Sequence, residues 1–161
     1  MARDAENTLI LDLKSGPVVI ELKPDVAPGH VARIKELARK GFYDGVVFHR
    51  VIPGFMAQTG DPTGTGTGGS DLPDLKAEFS ATPHKRGTVS MARTANPNSA
   101  NSQFFICFDA APWLDRQYSV WGQVVEGMEH IDAIKKGGDH NNGAIAGEPD
   151  KILKARVEAD G

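Results

Sequence analysis

Val46-Val47-Phe48-His49-Arg50-Val51-Ile52-Pro53-Gly54-Phe55-Met56-Ala57-Gln58 is the most informative stretch of the chain. Read as an extended strand, its first seven residues put Phe48 and Arg50 on one side and Val47, His49 and Val51 on the other. Both sides are largely apolar, so Arg50 needs an explanation: a guanidinium is rarely buried unless it is paired or opens onto a cleft. By strand position alone, a salt bridge or a side chain snorkelling to water would suffice. The continuation changes the balance. If extended, it places Met56 and Gln58 on a common side with Phe55 nearby, an amide beside large apolar groups.

Ser102-Gln103-Phe104-Phe105-Ile106-Cys107-Phe108 repeats that arrangement, with Gln103 and Phe105 on one side and Ser102, Phe104 and Ile106 on the other. The core can take Phe104 and Ile106, which leaves Phe105 for a partly exposed wall. A pocket of Phe55, Met56, Phe105, Trp113 and Leu114 with polar Arg50, Gln58 and Gln103 suits a ligand that is apolar but carries several carbonyl oxygens. A proline within a peptide answers that description.

Around these two segments the chain reads mainly as short strands separated by Gly, Pro, Asn and Asp: Thr8–Leu13, Pro17–Leu22, Val46–Ile52, Gly87–Met91, Ser102–Phe108, Ser119–Val125 and Ile152–Glu158. One helix is expected from about Ala27 to Lys40, where Val31, Ile34, Leu37 and Ala38 recur at helical spacing, Pro28 suits the first turn and Gly41 ends it. A second, short one runs roughly from Gly127 to Lys136, with Met128, Ile131 and Ile134 before the Gly137-Gly138 stop. No fixed-period repeat or interdomain linker is visible, so residues 1–161 are expected to form one domain. Two helices in a strand-dominated chain fit best as caps on a closed antiparallel barrel.

Composition is that of an ordinary globular chain, with 40% hydrophobic and 24% charged residues, and 161 residues can bury a core without metal or disulfide staples. A net charge of -3 argues against a broad phosphate-binding surface, so no nucleic-acid partner is expected. The lone cysteine, Cys107, has no partner for an intramolecular disulfide and sits in an apolar run, where a buried inert thiol is expected. Met1-Ala2-Arg3-Asp4-Ala5-Glu6 carries acid where a secretory signal would be basic, and no apolar run nears the roughly 20 residues needed to cross a bilayer. A cytoplasmic, membrane-free protein is expected.

The run Phe48 to Gln58, then Gly60-Asp61 and Gly66-Thr67-Gly68-Gly69, resembles the signature of the cyclophilins. The likeness continues through Ser90-Met91-Ala92, Asn101-Ser102-Gln103-Phe104-Phe105-Ile106 and Trp113-Leu114-Asp115, in order over most of the chain. It implies an eight-stranded antiparallel barrel capped by two helices, with a prolyl-peptide groove on the outer surface. It also implies peptidyl-prolyl cis-trans isomerase activity that assists folding. Arg50, Gln58 and Phe55 would be catalytic, and Met56, Ala92, Arg93, Gln103, Phe105, Trp113, Leu114 and Tyr118 would bind substrate. Gln58, Gln103 and the Ala92-Arg93 backbone would anchor the peptide on one side of the rotating bond.

No cofactor or metal is implied. The partners are proline-containing peptides and unfolded proteins, with cyclosporin as a ligand through Trp113 and a monomer as the working form. Two positions depart from the common pattern: Arg93 stands where many members have asparagine, and Tyr118 where many, chiefly eukaryotic, members have histidine.

Three other readings compete. A proline-binding module or holding chaperone would use the same groove without rotation. A phosphate cradle at Gly64–Gly69 lacks the Gly-Lys-Ser/Thr that would follow it and leads into the acidic run 70–74. The segment reads better as a flexible loop lining the groove. A metal or hydrolase site would rest on His30, His49, His84, His130 and His140, which show no ligand-pair spacing. His49 is expected to be a hydrogen-bonded structural residue and the others surface or loop histidines.

Overall fold

The computed structural model describes residues 4–137, 143–145 and 147–160. Eight strands, β1 (Thr8–Leu13), β2 (Gly16–Leu22), β3 (Arg50–Ile52), β4 (Met56–Thr59), β5 (Thr88–Met91), β6 (Phe104–Cys107), β7 (Val120–Glu126) and β8 (Lys154–Val157), form one sheet in the order β3-β4-β6-β5-β7-β2-β1-β8. Every pairing is antiparallel. The sheet curls on itself rather than closing through a continuous ladder. Its edge strands β3 and β8 are joined by the chain just before each, where Val47 bridges Lys151 and the Ile152 N–H donates to the Val46 carbonyl at 2.9 Å.

That seam explains why the strand expected over Val46–Ile52 is only three residues long. Residues 46 and 47 pair across the seam, and 48 and 49 lie outside any strand. The irregularity resets the alternation, so Phe48 and Val51 both enter the core, whereas Arg50 lies on the outer face. Phe48 and Arg50 therefore do not share a side, contrary to the simple strand reading.

Alternation elsewhere sorts the apolar residues into two clusters. Leu9, Leu11, Val18, Ile20, Ala57, Val89, Phe104, Ile106 and Trp121 fill the barrel, where α1 (Pro28–Arg39) adds Val31, Ile34, Leu37 and Ala38. Met56, Phe105, Cys107, Ala111 and Leu114 make a smaller cluster on the other face of the same strands. Cys107 is buried there, and burial pushes its thiol up to about 12, as an inert core group.

Helix α1 matches the expected span to within a residue, but its N-cap, Ala27, has no side-chain acceptor. Glu78 supplies one from a distant segment, accepting from the Gly29 and His30 N–H groups at 3.1 and 2.8 Å. A carboxylate there also complements the helix dipole. Helix α2 (Met128–Asp132) is shorter than expected. It starts at Gly127, whose φ of +83° and close approach to the Pro17 carbonyl leave no room for a Cβ. Ile131 and Ile134 are buried as the spacing predicts, and Gly138 lies outside the described residues.

Two histidines expected at the surface are core residues. His30 is fully buried against Glu78, with Nδ1 and Oε1 2.5 Å apart, and His84 is buried between Asp115 and Ser90. His49 was expected to be hydrogen-bonded, yet both its ring nitrogens are buried without a partner. Burial lowers all three pKa values, against opposing carboxylates, and so favours the neutral imidazole in the folded state. The unfolded chain binds those protons below about pH 6.5 and the folded one only at lower pH, so stability is complete above that value and falls as pH drops. The thermal midpoint should therefore decline between pH 7.5 and 5.0, before carboxylates titrate. Midpoints that coincide at those two pH values, followed by circular dichroism, would refute this.

Candidate active site

Arg50, Gln58 and Phe105 form one row across the outer face, with Arg50 paired to Gln58 and Gln58 to Phe105. A step along the strands, Met56 pairs with Cys107. Above this row lies a cavity of about 120 Å³ lined by Arg50, Phe55, Met56, Gln58, Ala92, Arg93, Phe105, Leu114 and Tyr118. Nine of the eleven residues singled out from the sequence thus meet in one place. Phe105 is buried rather than partly exposed, and it forms a wall with Tyr118 edge-on to it at 5.5 Å.

The other two lie just outside. Trp113, on the single turn Pro112–Leu114, is 64% exposed and tilts against Phe55 with ring centroids 5.6 Å apart. Gln103 lines an adjoining polar cavity of about 540 Å³, with Gly66–Ser70, Asp74, Thr94, Ser99 and Asn101 among its walls. The two cavities share Gln58, Ala92 and Arg93.

A chain of amides fixes the polar side. Arg50 Nη1 donates to Gln58 Oε1 at 3.1 Å, and Gln58 Nε2 donates to Gln103 Oε1 at 2.9 Å. Gln103 Nε2 in turn donates to the Gly66 and Gly68 carbonyls at 3.1 and 2.9 Å. The side-chain donors of Gln103 are therefore engaged within the protein, and the Ala92 N–H is held by the Gln103 carbonyl at 2.9 Å. In this arrangement the two glutamines orient Arg50 and the loop. The Ala92 N–H is not open to a ligand.

The glycine loop is itself pinned by Asp61, whose role the sequence did not suggest. Its carboxylate accepts from the N–H groups of Thr63, Thr65, Gly66 and Gly68 at 2.8, 3.1, 2.6 and 3.0 Å. Burial opposes ionisation, but these donors hold the carboxyl far below the usual range. The loop already contains its own anion, which accounts for a phosphate-cradle composition without a phosphate site. A Cβ at Gly68 would lie 2.2 Å from Asp61 Oδ1, so the position demands glycine.

Beneath Phe105 runs a second chain that the sequence concealed. His84 stacks on the Phe105 ring at 6.1 Å, with Nε2 3.0 Å from Ser90 Oγ and Nδ1 3.1 Å from Asp115 Oδ1. Ser, His and Asp are thus arranged as in a hydrolase triad. Ser90 is fully buried, however, so no substrate carbonyl can reach it. The trio supports the pocket wall. Thr82-Pro83-His84-Lys85 reads as a turn, and the burial of His84 shows only once Asp115, 31 residues on, is brought against it. Among the described residues no group of three His, Cys, Asp or Glu could hold a metal ion, and His140 lies outside them.

The family described as cyclophilin-type peptidyl-prolyl cis-trans isomerase matches residues 8–157. The chain belongs to that family, and its function is peptidyl-prolyl cis-trans isomerisation. It is 60% identical over 170 aligned positions to a Brucella suis protein named "Probable peptidyl-prolyl cis-trans isomerase", covering 99% of this chain and 86% of that one. A Synechococcus elongatus peptidyl-prolyl cis-trans isomerase is 40% identical, over 94% of this chain and 96% of its own length.

Among solved structures, cyclophilin AquaCyp293 from Hirschia baltica superposes with a TM-score of 0.88 at 32% identity, covering 100% of this chain and 77% of that one. A Cryptosporidium parvum cyclophilin-type isomerase determined in the presence of the dipeptide Ala-Pro gives 0.85 at 28% identity, covering 93% and 98%.

The Asp61 cradle yields a direct test. Asp61→Asn leaves one acceptor oxygen where two now serve four backbone donors, and should cost about 1–3 kcal/mol of stability. Amide exchange at Gly66 and Gly68 should accelerate ahead of the barrel strands. Unchanged exchange at these two glycines would contradict the role assigned to Asp61.

Proposed function

We propose that Arg50 accelerates rotation about an X-Pro bond whose proline ring sits in the 120 Å³ pocket beside it. The observation that carries this reading is the pairing of a permanent cation with a pocket of that size, walled by Phe55, Met56, Phe105 and Leu114. Drug-sized ligands occupy roughly 300–1,000 Å³, so this cavity suits a single ring, with the rest of the ligand outside it. The family relationship and the Ala-Pro dipeptide present with the Cryptosporidium parvum relative support a prolyl peptide as that ligand.

Rotation about the X-Pro bond is opposed by a barrier of about 18–20 kcal/mol, because the nitrogen lone pair is delocalised into the carbonyl. In the twisted transition state the prolyl nitrogen becomes pyramidal and recovers its lone pair. A donor poised there binds the transition state more strongly than either planar ground state. Arg50 suits the task because its planar fork is always charged and can address the nitrogen and a nearby carbonyl oxygen together. Gln58 and Gln103 hold it in register, so little reorganisation accompanies the reaction. No bond is made or broken to the protein.

Substitution Arg50→Ala should lower kcat/KM by two to three powers of ten, on the order of 3–4 kcal/mol of transition-state stabilisation, with little change in thermal midpoint. The same variant separates enzyme from binding module: peptide affinity should largely survive while turnover is lost. Near-normal turnover would refute the role of Arg50. Trp113, exposed at the rim against Phe55, supports cyclosporin as an inhibitor, and activity that resists a large excess of the drug would exclude it.

Between about pH 6 and 8 the rate should be nearly flat, since Tyr118 rather than an imidazole faces the pocket and burial lowers the pKa of His84 behind it. A steep titration near neutrality in folded protein would count against this.

A further inference from the structure

Arg93 and Tyr118, the two departures from the common cyclophilin pattern, are in contact. The Arg93 guanidinium lies 4.7 Å from the centre of the Tyr118 ring and 5.8 Å from that of Phe79, an exposed aromatic on a different loop. Its Nε donates to the Gln117 carbonyl at 2.9 Å and its Nη1 to the Thr94 carbonyl at 2.9 Å. A long flexible side chain is thereby fixed in place, and it forms part of the wall shared by the proline pocket and the larger polar cavity.

None of the ion pairs among the described residues neutralises this guanidinium, and no hydrogen bond there uses its Nη2. The nearby acids are engaged elsewhere: Glu78 with His30 and the start of α1, Asp115 with His84, and Asp61 with its own loop. Asp74, on the wall of the polar cavity, accepts from Asn101 Nδ2 at 3.1 Å. Among the described residues that line it, the proline pocket has two cations, Arg50 and Arg93, and no acid. Carbonyl oxygens and ring faces hold Arg93 without cancelling its charge.

Resting on the isomerase reading above, we propose that Arg93 determines specificity, favouring substrates that carry a carboxylate side chain on a residue flanking the proline. A peptide whose proline fills the small pocket and whose chain leaves across the shared wall brings a neighbouring side chain within reach of Nη2. A carboxylate there gains a charge-assisted hydrogen bond, whereas a lysine meets like charge from Arg93. The protein's net charge of -3 would disfavour anionic peptides generally, so the preference must be local.

The test measures exchange between cis and trans peptides by NMR, without a coupling protease, for peptides with Glu, Gln or Lys directly before proline and, separately, directly after it. For the wild type, kcat/KM should be about three- to tenfold higher with Glu than with Gln at one of the two positions, lowest with Lys, and the preference should shrink in 0.5 M salt. In Arg93→Gln the Glu-to-Gln ratio should fall to about one, whatever the absolute rate. Ratios near one at both positions in the wild type would overturn the inference even if the variant fails to fold. So would a ratio that persists in Arg93→Gln. Activity on every peptide without discrimination sinks this inference alone, whereas activity on none sinks the isomerase assignment with it.

Discussion

Arg50, Gln58, Phe105 and Ser90 occupy a single row across β3, β4, β6 and β5, because each is the register partner of the next. The intervening row on the opposite face is Val51, Ala57, Ile106 and Val89, all fully buried in the barrel. A slip of one residue in any of these strands would carry polar side chains into the core and apolar ones out of it. Fully burying a large apolar side chain is worth roughly 1.5–3 kcal/mol, so the inner row fixes the register and the outer row inherits its geometry. The placement of Arg50, Gln58 and Phe105 is thus set by core residues on the other face of the sheet.

On that row the polar groups form a directed chain rather than a set of independent contacts. Asp61 gathers the glycine loop, the loop carbonyls hold Gln103, Gln103 holds Gln58, and Gln58 holds Arg50. In the proposed role, a guanidinium positioned this way would give up little freedom as charge develops at the prolyl nitrogen, the condition under which a fixed donor is most effective. Below the row, His84 supports Phe105 from inside, so both the polar and the apolar walls of the pocket are braced from behind.

Much of this was legible in sequence because it rests on local alternation. The pairing of Gln103 with Phe105 and of Met56 with Gln58, the extents of β1 and α1, and the pocket residues follow from period and motif. What escaped depends on contacts between segments far apart in the chain. The parity change at Phe48-His49 comes from the seam with residues 150–152, and the burial of His84 beside Asp115 joins positions 31 residues apart. The Asp61 cradle folds back over the next seven residues, but an acid beside glycines and threonines is equally at home in an exposed turn. The contact between Arg93 and Tyr118 joins positions that look unrelated until the loops bearing them are brought together.

Residues 61–87, between β4 and β5, contain no strand or helix, and a free segment of that length would contribute substantial chain entropy to one wall of the groove. The wall is instead divided by successive anchors: Asp61 to its own loop, Ser70 and Leu72 to Asn101, and Leu75 to Ala100. Beyond these, Ala77 is held by Asn98, Glu78 by Ser119 and α1, and His84 by Asp115. The longest stretch between anchors is residues 79–83, so the entropy of one large loop is replaced by that of several very short ones. A region that would be drawn as coil thus belongs, thermodynamically, to the rigid scaffold. Glu78 extends that scaffold from the groove wall to the helix on the barrel's end.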